Sequence, residues 1–375
     1  MYEAIVLGTG GVGGSALYHL AKRGVRALGL DRFEPGHDRG SSHGDTRIIR
    51  LAYYEHPDYV PLLRRAYQLW SELEAETGER LYEEVGLLEI GPPDGELITG
   101  ILRSAELHQL ELEQLSAADV RRRFPGFRCP EGYSALFERR AGFLHVERCV
   151  RTHLRAAVAR GAEHRTGVTI LGWRREGEKL VVETNDGPIE TLRLIVAPGA
   201  WAPQLLGDIS IPWRVLLKHI YWFEPHGEAY RPGQGGTTFF YDFPWGMFYG
   251  FPQIDGLGVK MGEHSGGREV TDPLTVNRDL DLADLARVET FLGAHMPHLS
   301  RRLKRHSTCF YTMTPDAHFV VDRHPRDASV VFAAGLSGHG FKFVSALGEL
   351  LATWSLDGAP TLPVDFLSAN RLAVK

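Results

Sequence analysis

Gly8-Thr9-Gly10-Gly11-Val12-Gly13 follows directly on the apolar run Tyr2, Ala4, Ile5, Val6 and Leu7. The run has the β-branched content of a buried strand, and the glycines have the G-x-G-x-x-G spacing of a dinucleotide cradle. Behind them Ala16, Leu17, Leu20 and Ala21 recur at helical spacing, and Gly24 stands where a C-terminal cap belongs. Val25 to Leu30 read as a second strand ending at Asp31. With a dinucleotide as ligand, Gly8 permits the turn, Gly10 admits the pyrophosphate to the backbone, and Gly13 lets helix and strand approach. The pyrophosphate then rests on the unpaired N–H groups of the turn that Gly11 and Val12 open. Asp31 lies where a carboxylate accepts both hydroxyls of an adenosine ribose, which disfavours a 2′-phosphate.

Outward from that stretch, the chain of 375 residues is long for one core, so two domains are expected, with interleaving allowed. Hydrophobic residues make up 43% and charged residues 24%, the balance of an ordinary globular protein. A net charge of -5 argues against a nucleic-acid binder, which needs a basic face. No apolar run approaches membrane-spanning length, and the fingerprint begins too early to leave room for a signal peptide, so a cytoplasmic location is expected. Cys129, Cys149 and Cys309 are widely spaced, which points to neither a disulfide framework nor a zinc site.

Pro35 to Gly44 is a polar loop, and Asp45 to Arg50 follows it. A loop that returns over the nucleotide crevice brings Arg47 and Arg50 towards a cofactor; two solvated arginines fit that pattern equally well. Leu62, Leu63, Ala66, Leu69, Trp70 and Leu73 give an amphipathic helix. From Tyr82 to Phe137 short apolar pieces, a helix near Leu97 to Leu107 and a short capped helix from Ala117 to Phe124 read as an insertion. Cys149 to Arg160 is helical again, Thr166 to Ile170 and Leu180 to Thr184 read as strands, and a buried strand ends in Ala197-Pro198-Gly199-Ala200-Trp201. That turn reads as a second close approach of backbone to cofactor, with an ordinary strand-to-loop turn as the alternative; Pro198 stands where two-dinucleotide-binding flavoproteins usually carry threonine. Residues 211–316 carry alternating strand signals and one helix, Leu282 to Phe291, which suggests a largely antiparallel sheet. The chain then returns to a buried strand, Val330 to Gly335, a glycine turn, Leu336 to Gly340, and a helix from Phe341 to Leu356 with Lys342 in its first turn.

Five stretches, taken together, resemble the monomeric sarcosine oxidase family of flavin amine oxidases. They are Gly8 to Gly13, Gly44 to Arg50, Lys260 to His264, Thr308-Cys309-Phe310-Tyr311-Thr312-Met313-Thr314-Pro315-Asp316, and Gly338-His339-Gly340-Phe341-Lys342. The family also holds N-methyltryptophan, pipecolate and fructosyl amino acid oxidases. The resemblance implies an α/β fold: a Rossmann-type FAD-binding domain (1–80, 141–208 and 317–375) interleaved with an α+β substrate domain on a mostly antiparallel sheet (81–140 and 209–316). It implies FAD attached through the Cys309 sulfur to the flavin 8-methyl group. Gly8, Gly10, Gly11, Val12, Gly13, Asp31, Ser42, Thr46, Arg47, Val168, Gly199, Trp201, Gly338, Gly340 and Lys342 are the further residues expected at the cofactor.

The reaction it implies takes a hydride equivalent from the carbon beside a secondary amine to flavin N5; the imine is hydrolysed and O2 becomes hydrogen peroxide. Arg50 and Lys342 match the binders of the substrate carboxylate, a pair of fixed cations that positions an anion. Lys260 matches an oxygen-activating lysine, since a preorganised cation stabilises superoxide. His264 matches a substrate-site histidine, and four-residue spacing on a strand puts it and Lys260 in one cavity. Tyr249 and Tyr311 match aromatic residues lining that cavity, and Arg47 an arginine beside the flavin ring. The helix after Gly340 is expected to aim its N-terminus at the flavin pyrimidine edge. A monomer acting on a small secondary amino acid and O2 is expected, without nucleic-acid, membrane or metal partners. Sarcosine leads, with N-methyltryptophan, pipecolate, proline-like and glycated amino acids behind. An NAD-dependent dehydrogenase accounts only for the N-terminal fingerprint and Asp31, and a non-catalytic flavin binder has no need of Arg50, Lys260 and Lys342.

Overall fold

The computed structural model describes residues 1–372. Strand Tyr2–Leu7 lies at the centre of an eight-stranded sheet, between Ala27–Leu30 and Ile189–Val196. All three run parallel, and Glu163–Arg165 and Asp327–Ala334 extend the parallel core on its two sides. Because side chains alternate across a strand, Ala4 and Val6 enter one layer and Ile5 and Leu7 the other. The first layer is helical: Gly11–Lys22, Val146–Ala159 and Val344–Asp357 pack there over Leu17, Leu154, Leu347 and Leu351. On the opposite face Leu28, Val196, Val330 and Phe332 pack against Leu206, Ile209 and Ile211. Both faces are covered, so these strands read as continuous apolar runs.

A second sheet has nine strands and draws them from two distant parts of the chain. Arg214–Pro225 pairs antiparallel with Leu299–Met313 on one side and Val259–Glu263 on the other, and Gly246–Gly250 and Thr238–Phe243 follow. Thr238–Phe243 then pairs parallel with Leu87–Gly91, which joins the earlier segment Leu87–Gly91, Ser134–Glu138 and Glu113–Leu115 to the same sheet. One face carries an aromatic core of Phe223, Phe239, Tyr241 and Phe248 under Phe291 of the helix Leu282–His295. On the other face, Leu216, Ile220 and Trp222 lie with Cys309 and Tyr311. A three-stranded sheet of Thr46–Ile49, Gly142–His145 and Tyr82–Glu84 lies apart from the two larger ones. No described helix is long and apolar enough to cross a membrane.

Three local expectations change. Thr166 to Ile170 is not a strand: pairing stops at Arg165 and resumes at Ile170, and the chain turns at Gly167 (φ +75°). There the Val168 N–H donates to the Asp31 carbonyl at 3.0 Å, so the apolar Val168 follows a loop that tracks the end of the second strand. That second strand begins at Ala27, two residues late, because the Val25 N–H is taken by the Leu20 carbonyl in the helix cap. The last helix opens with a single 3-10 turn, Phe341–Phe343, so Lys342 precedes the α-helix proper.

Candidate active site

A long cavity, partly open to solvent, runs from the glycine turn of the first sheet to the second sheet. At the nucleotide end Gly8 adopts φ +81°, and a Cβ at Gly13 would collide with the Gly8 carbonyl, so strand and helix meet as closely as backbone allows. No side chain caps the helix at Gly10, and the Gly11 N–H donates to Ser42 Oγ at 3.2 Å. Asp31 is fixed by its own surroundings: Oδ2 accepts from the Thr9 N–H at 2.7 Å and Oδ1 from the Phe33 N–H at 3.0 Å. It still lines the cavity, as do Gly199 and Trp201, whose Nε1 is buried without a hydrogen-bond partner among the described residues. A cradle closed to any side chain, a helix start whose N-cap residue is a glycine, a fixed carboxylate and a spare donor fit the pyrophosphate and adenosine of FAD.

In the middle of the cavity the loop before Thr46–Ile49 is held by Glu147, whose carboxylate accepts the Gly44 and Asp45 N–H groups. Arg47 lines the cavity with its guanidinium on the Thr46 and Ser41 carbonyls, both at 2.9 Å. Lys260 reaches the same Thr46 carbonyl at 2.6 Å and its Oγ1 at 3.1 Å, with Nζ 4.3 Å from the centre of the Phe251 ring. Burial pushes the Lys260 ammonium well below the usual lysine range, and Arg47 adds to that. Lys260 and His264 do not share the cavity wall as expected: His264 lines it, whereas Lys260 is buried against Thr46. The strand ends at Glu263, and His264 sits in the following turn with its N–H on the Met247 carbonyl, so alternation does not carry across both. Cys309 is likewise buried off the wall, although Phe310, Tyr311 and Thr312 line it.

At the far end, Arg50 and Lys342 both line the cavity. Arg50 is clamped: Nη1 donates to Glu89 Oε1 at 2.7 Å, Nη2 to both Glu55 oxygens at 3.0 and 3.2 Å, and the Tyr53 and Tyr54 rings lie 4.9 Å away. Burial opposes its charge, but Glu55 and Glu89 more than offset that and hold it above the usual arginine range. Lys342 Nζ donates to the His339 carbonyl at 2.8 Å, and burial, helped by Arg50, pulls it down to about 7. Phe240 links this end to His264, with its ring 5.7 Å from each of the Arg50 guanidinium and the His264 ring. His264 Nδ1 lies 3.3 Å from the Tyr311 hydroxyl, and burial, with Lys218 adding to it, holds the imidazole down to about 3, so it is neutral near pH 7.

Of the expected residues, Gly8, Gly10, Gly11, Val12, Asp31, Ser42, Arg47, Arg50, Val168, Gly199, Trp201, Tyr249, His264, Tyr311, Gly338, Gly340 and Lys342 line this one cavity; Gly13, Thr46, Lys260 and Cys309 stand just behind it. Tyr54, Glu55, Phe240 and His339 line it unforeseen. Tyr54 and Glu55 follow Arg50 within five positions, and His339 lies inside the second glycine turn, so proximity to a marked motif was the available signal.

Residues 3–354 match the family model described as FAD dependent oxidoreductase. The chain is 38% identical, over 100% of its length and 97% of the relative's, to "Monomeric sarcosine oxidase" of Arthrobacter sp. (strain TE1826). It is 34% identical, over 99% of both chains, to "N-methyl-L-tryptophan oxidase" of Yersinia pestis (strain Pestoides F). Its fold matches that of "L-proline dehydrogenase from P.horikoshii" with a TM-score of 0.84 at 23% identity, covering 99% of this chain and 97% of that one. The chain belongs to the family of FAD-dependent oxidoreductases, as a flavin-dependent amine oxidase.

Proposed function

We propose that the chain oxidises a small secondary amino acid, with sarcosine (N-methylglycine) as the leading substrate: sarcosine, O2 and water give glycine, formaldehyde and hydrogen peroxide. One observation carries this reading: two cations from distant sequence positions, Arg50 and Lys342, line the cavity end that Phe240 connects to His264 and Tyr311. FAD, when bound, would supply the acceptor for the two electrons of the C–H bond broken beside the amine nitrogen, with O2 as their final acceptor. The chain's own groups do the rest. A substrate carboxylate takes the Nη2 edge of Arg50, where Glu55 now sits, and lies within reach of Lys342. Neutral His264 adds no positive charge beside the amine, which must itself be neutral to give up a hydride equivalent. Lys260, with Thr46, is assigned to the oxygen step, where a fixed cation stabilises developing superoxide.

The reading includes a cofactor joined through Cys309, which lies one residue from the cavity wall on the strand Leu299–Met313. It also divides the chain as the two large sheets do, with 1–80, 141–208 and 317–375 holding FAD and 81–140 and 209–316 holding substrate, and it takes the protein as a cytoplasmic monomer. N-methyltryptophan remains the second substrate, because a relative with that name is 34% identical over nearly the whole chain. A panel of sarcosine, N-methyltryptophan, pipecolate, proline and a glycated amino acid, scored by peroxide release, tests the assignment. Sarcosine is expected to give the highest kcat/KM, and peroxide from none of them would refute the amino-acid reading.

A further inference from the structure

Glu89 is fully buried in the strand Leu87–Gly91, opposite Phe240 of Thr238–Phe243. Its Oε1 accepts from Arg50 Nη1 at 2.7 Å, whereas Oε2 is buried with no hydrogen-bond partner among the described residues. It does not line the cavity; it stands behind Arg50, on the side away from Glu55. A sheet interior beside a substrate site gains nothing from a lone acid: an ionised carboxylate with one orphaned oxygen is costly to bury, and a hydrophobic residue would fill the space. Resting on the amino-acid oxidase reading, we propose that Glu89 is a positioning and charge-setting residue of the substrate-carboxylate site. It grips Nη1 so that the Nη2 edge of Arg50 faces the cavity, and the proton on its own carboxyl decides how strongly Arg50 attracts an anion.

The groups that face Glu89 define its balance. Arg50 lies against it, Lys342 is near, and Glu138, on the neighbouring strand, and Glu55 oppose a further negative charge. Glu138 is already committed, accepting the Leu51 and Ala52 N–H groups at 2.8 Å. Arg50 compensates the charge through Oε1, so the natural place for a proton is Oε2 of Glu89, the oxygen that no donor reaches among the described residues. Burial pushes this carboxyl up to about 8, with Arg50 pulling the other way and Glu138 and Glu55 adding to the rise. Below that range Arg50 shares its charge with Glu55 alone, and a substrate carboxylate replaces Glu55 one for one. Above it, a second anion stays on Nη1 and the guanidinium attracts substrate less.

Glu89→Gln keeps the acceptor on Nη1 and the volume but cannot ionise. The test titrates wild type and Glu89→Gln, both carrying FAD, with pyrrole-2-carboxylate, a carboxylate with no oxidisable amine carbon, and reads Kd from the change in the flavin absorbance spectrum. The ratio of wild-type to variant Kd is expected to be near one at pH 6.5 and to rise to about tenfold at pH 9, because proton and carboxylate are linked through Arg50. Lys342 titrates in the same range and is raised by an ionised Glu89, so both proteins are also titrated on a Lys342→Met background, where the rise in the ratio is expected to persist. Glu89→Leu, which removes the grip, is expected to weaken binding at every pH while flavin content stays at the wild-type level. A ratio that stays flat from pH 6.5 to 9, or Glu89→Leu binding like wild type, would overturn the proposal. Failure of wild type to bind the carboxylate or to oxidise any amino acid would instead overturn the reading on which it rests.

Discussion

Lys260 and Arg47 both point at the Thr46 carbonyl, so two cations meet beside a single backbone oxygen. Replacing Lys260 by Met removes one of them without opening a void. Flavin reoxidation by O2 is expected to slow by about 10²-fold or more in stopped-flow, while reduction by substrate changes far less. Equal loss in both half-reactions would assign Lys260 a structural task. Because burial lowers the Lys260 ammonium well below its ordinary range, the wild-type reoxidation rate should fall as pH rises, and at a pH well under that of a solvated lysine. Lys342 adds a second pH effect: as its charge is lost above about 7, KM for the carboxylate substrate should rise, and Lys342→Met should flatten that rise. Cys309→Ala bears on the tether. Acid precipitation should leave flavin in the wild-type pellet and release it to the supernatant from the variant.

Gly8 and Asp31 were legible in the sequence from a rigid spacing, whereas Arg50 and Lys342 were legible only through the family resemblance, since each alone reads equally as a solvated cation. Each sits at a strand end or a helix start, where a few neighbours in the chain fix its position. Glu89 and Phe240 were not legible, because they meet Arg50 only through a parallel pairing of strands about 150 residues apart. Glu89 also sits in an apolar run, Leu87-Leu88-Glu89-Ile90, that reads as strand with an ordinary outward acid.

The helix Gly11–Lys22 does two separate things. Its N-terminal turn faces the cavity, and its body packs on the helix Val344–Asp357. Gly13→Ala strikes the first, since the new Cβ would meet the Gly8 carbonyl; stability should fall by about 3 kcal/mol, and flavin content with it. Leu351→Ala strikes the second by emptying a fully buried site, costing about 2–5 kcal/mol in a denaturant melt, with flavin content per folded molecule unchanged. The sequence pattern located both helices because their apolar positions repeat every three to four residues. It misplaced the strand at Thr166 to Ile170, where β-branched Thr166, Val168, Thr169 and Ile170 read as pleat, whereas Gly167 with positive φ breaks the pairing.

The whole molecule puts its cavity where two sheets of different construction meet: one with a parallel core that carries nucleotide-binding turns and a mostly antiparallel one that carries aromatic walls. Neither wall is complete alone, since Lys342 follows the glycine turn after a strand of the first sheet, Arg47 comes from the three-stranded sheet, Tyr249 and Tyr311 come from the second sheet, and His264 from the turn that follows one of its strands. Ligand occupying that seam binds the folded state only, so FAD should raise the melting temperature of both halves together rather than of one. Sedimentation at micromolar concentration should give a single species near the chain mass of 41.8 kDa. The most direct measurement mixes the purified FAD-bearing protein with sarcosine in the absence of air and follows the visible flavin absorbance. With one equivalent of sarcosine per flavin, the bands should bleach and, on admission of air, return with one peroxide formed per flavin. A protein that shows no flavin absorbance under any reconstitution, or whose flavin no secondary amino acid bleaches, would contradict the account.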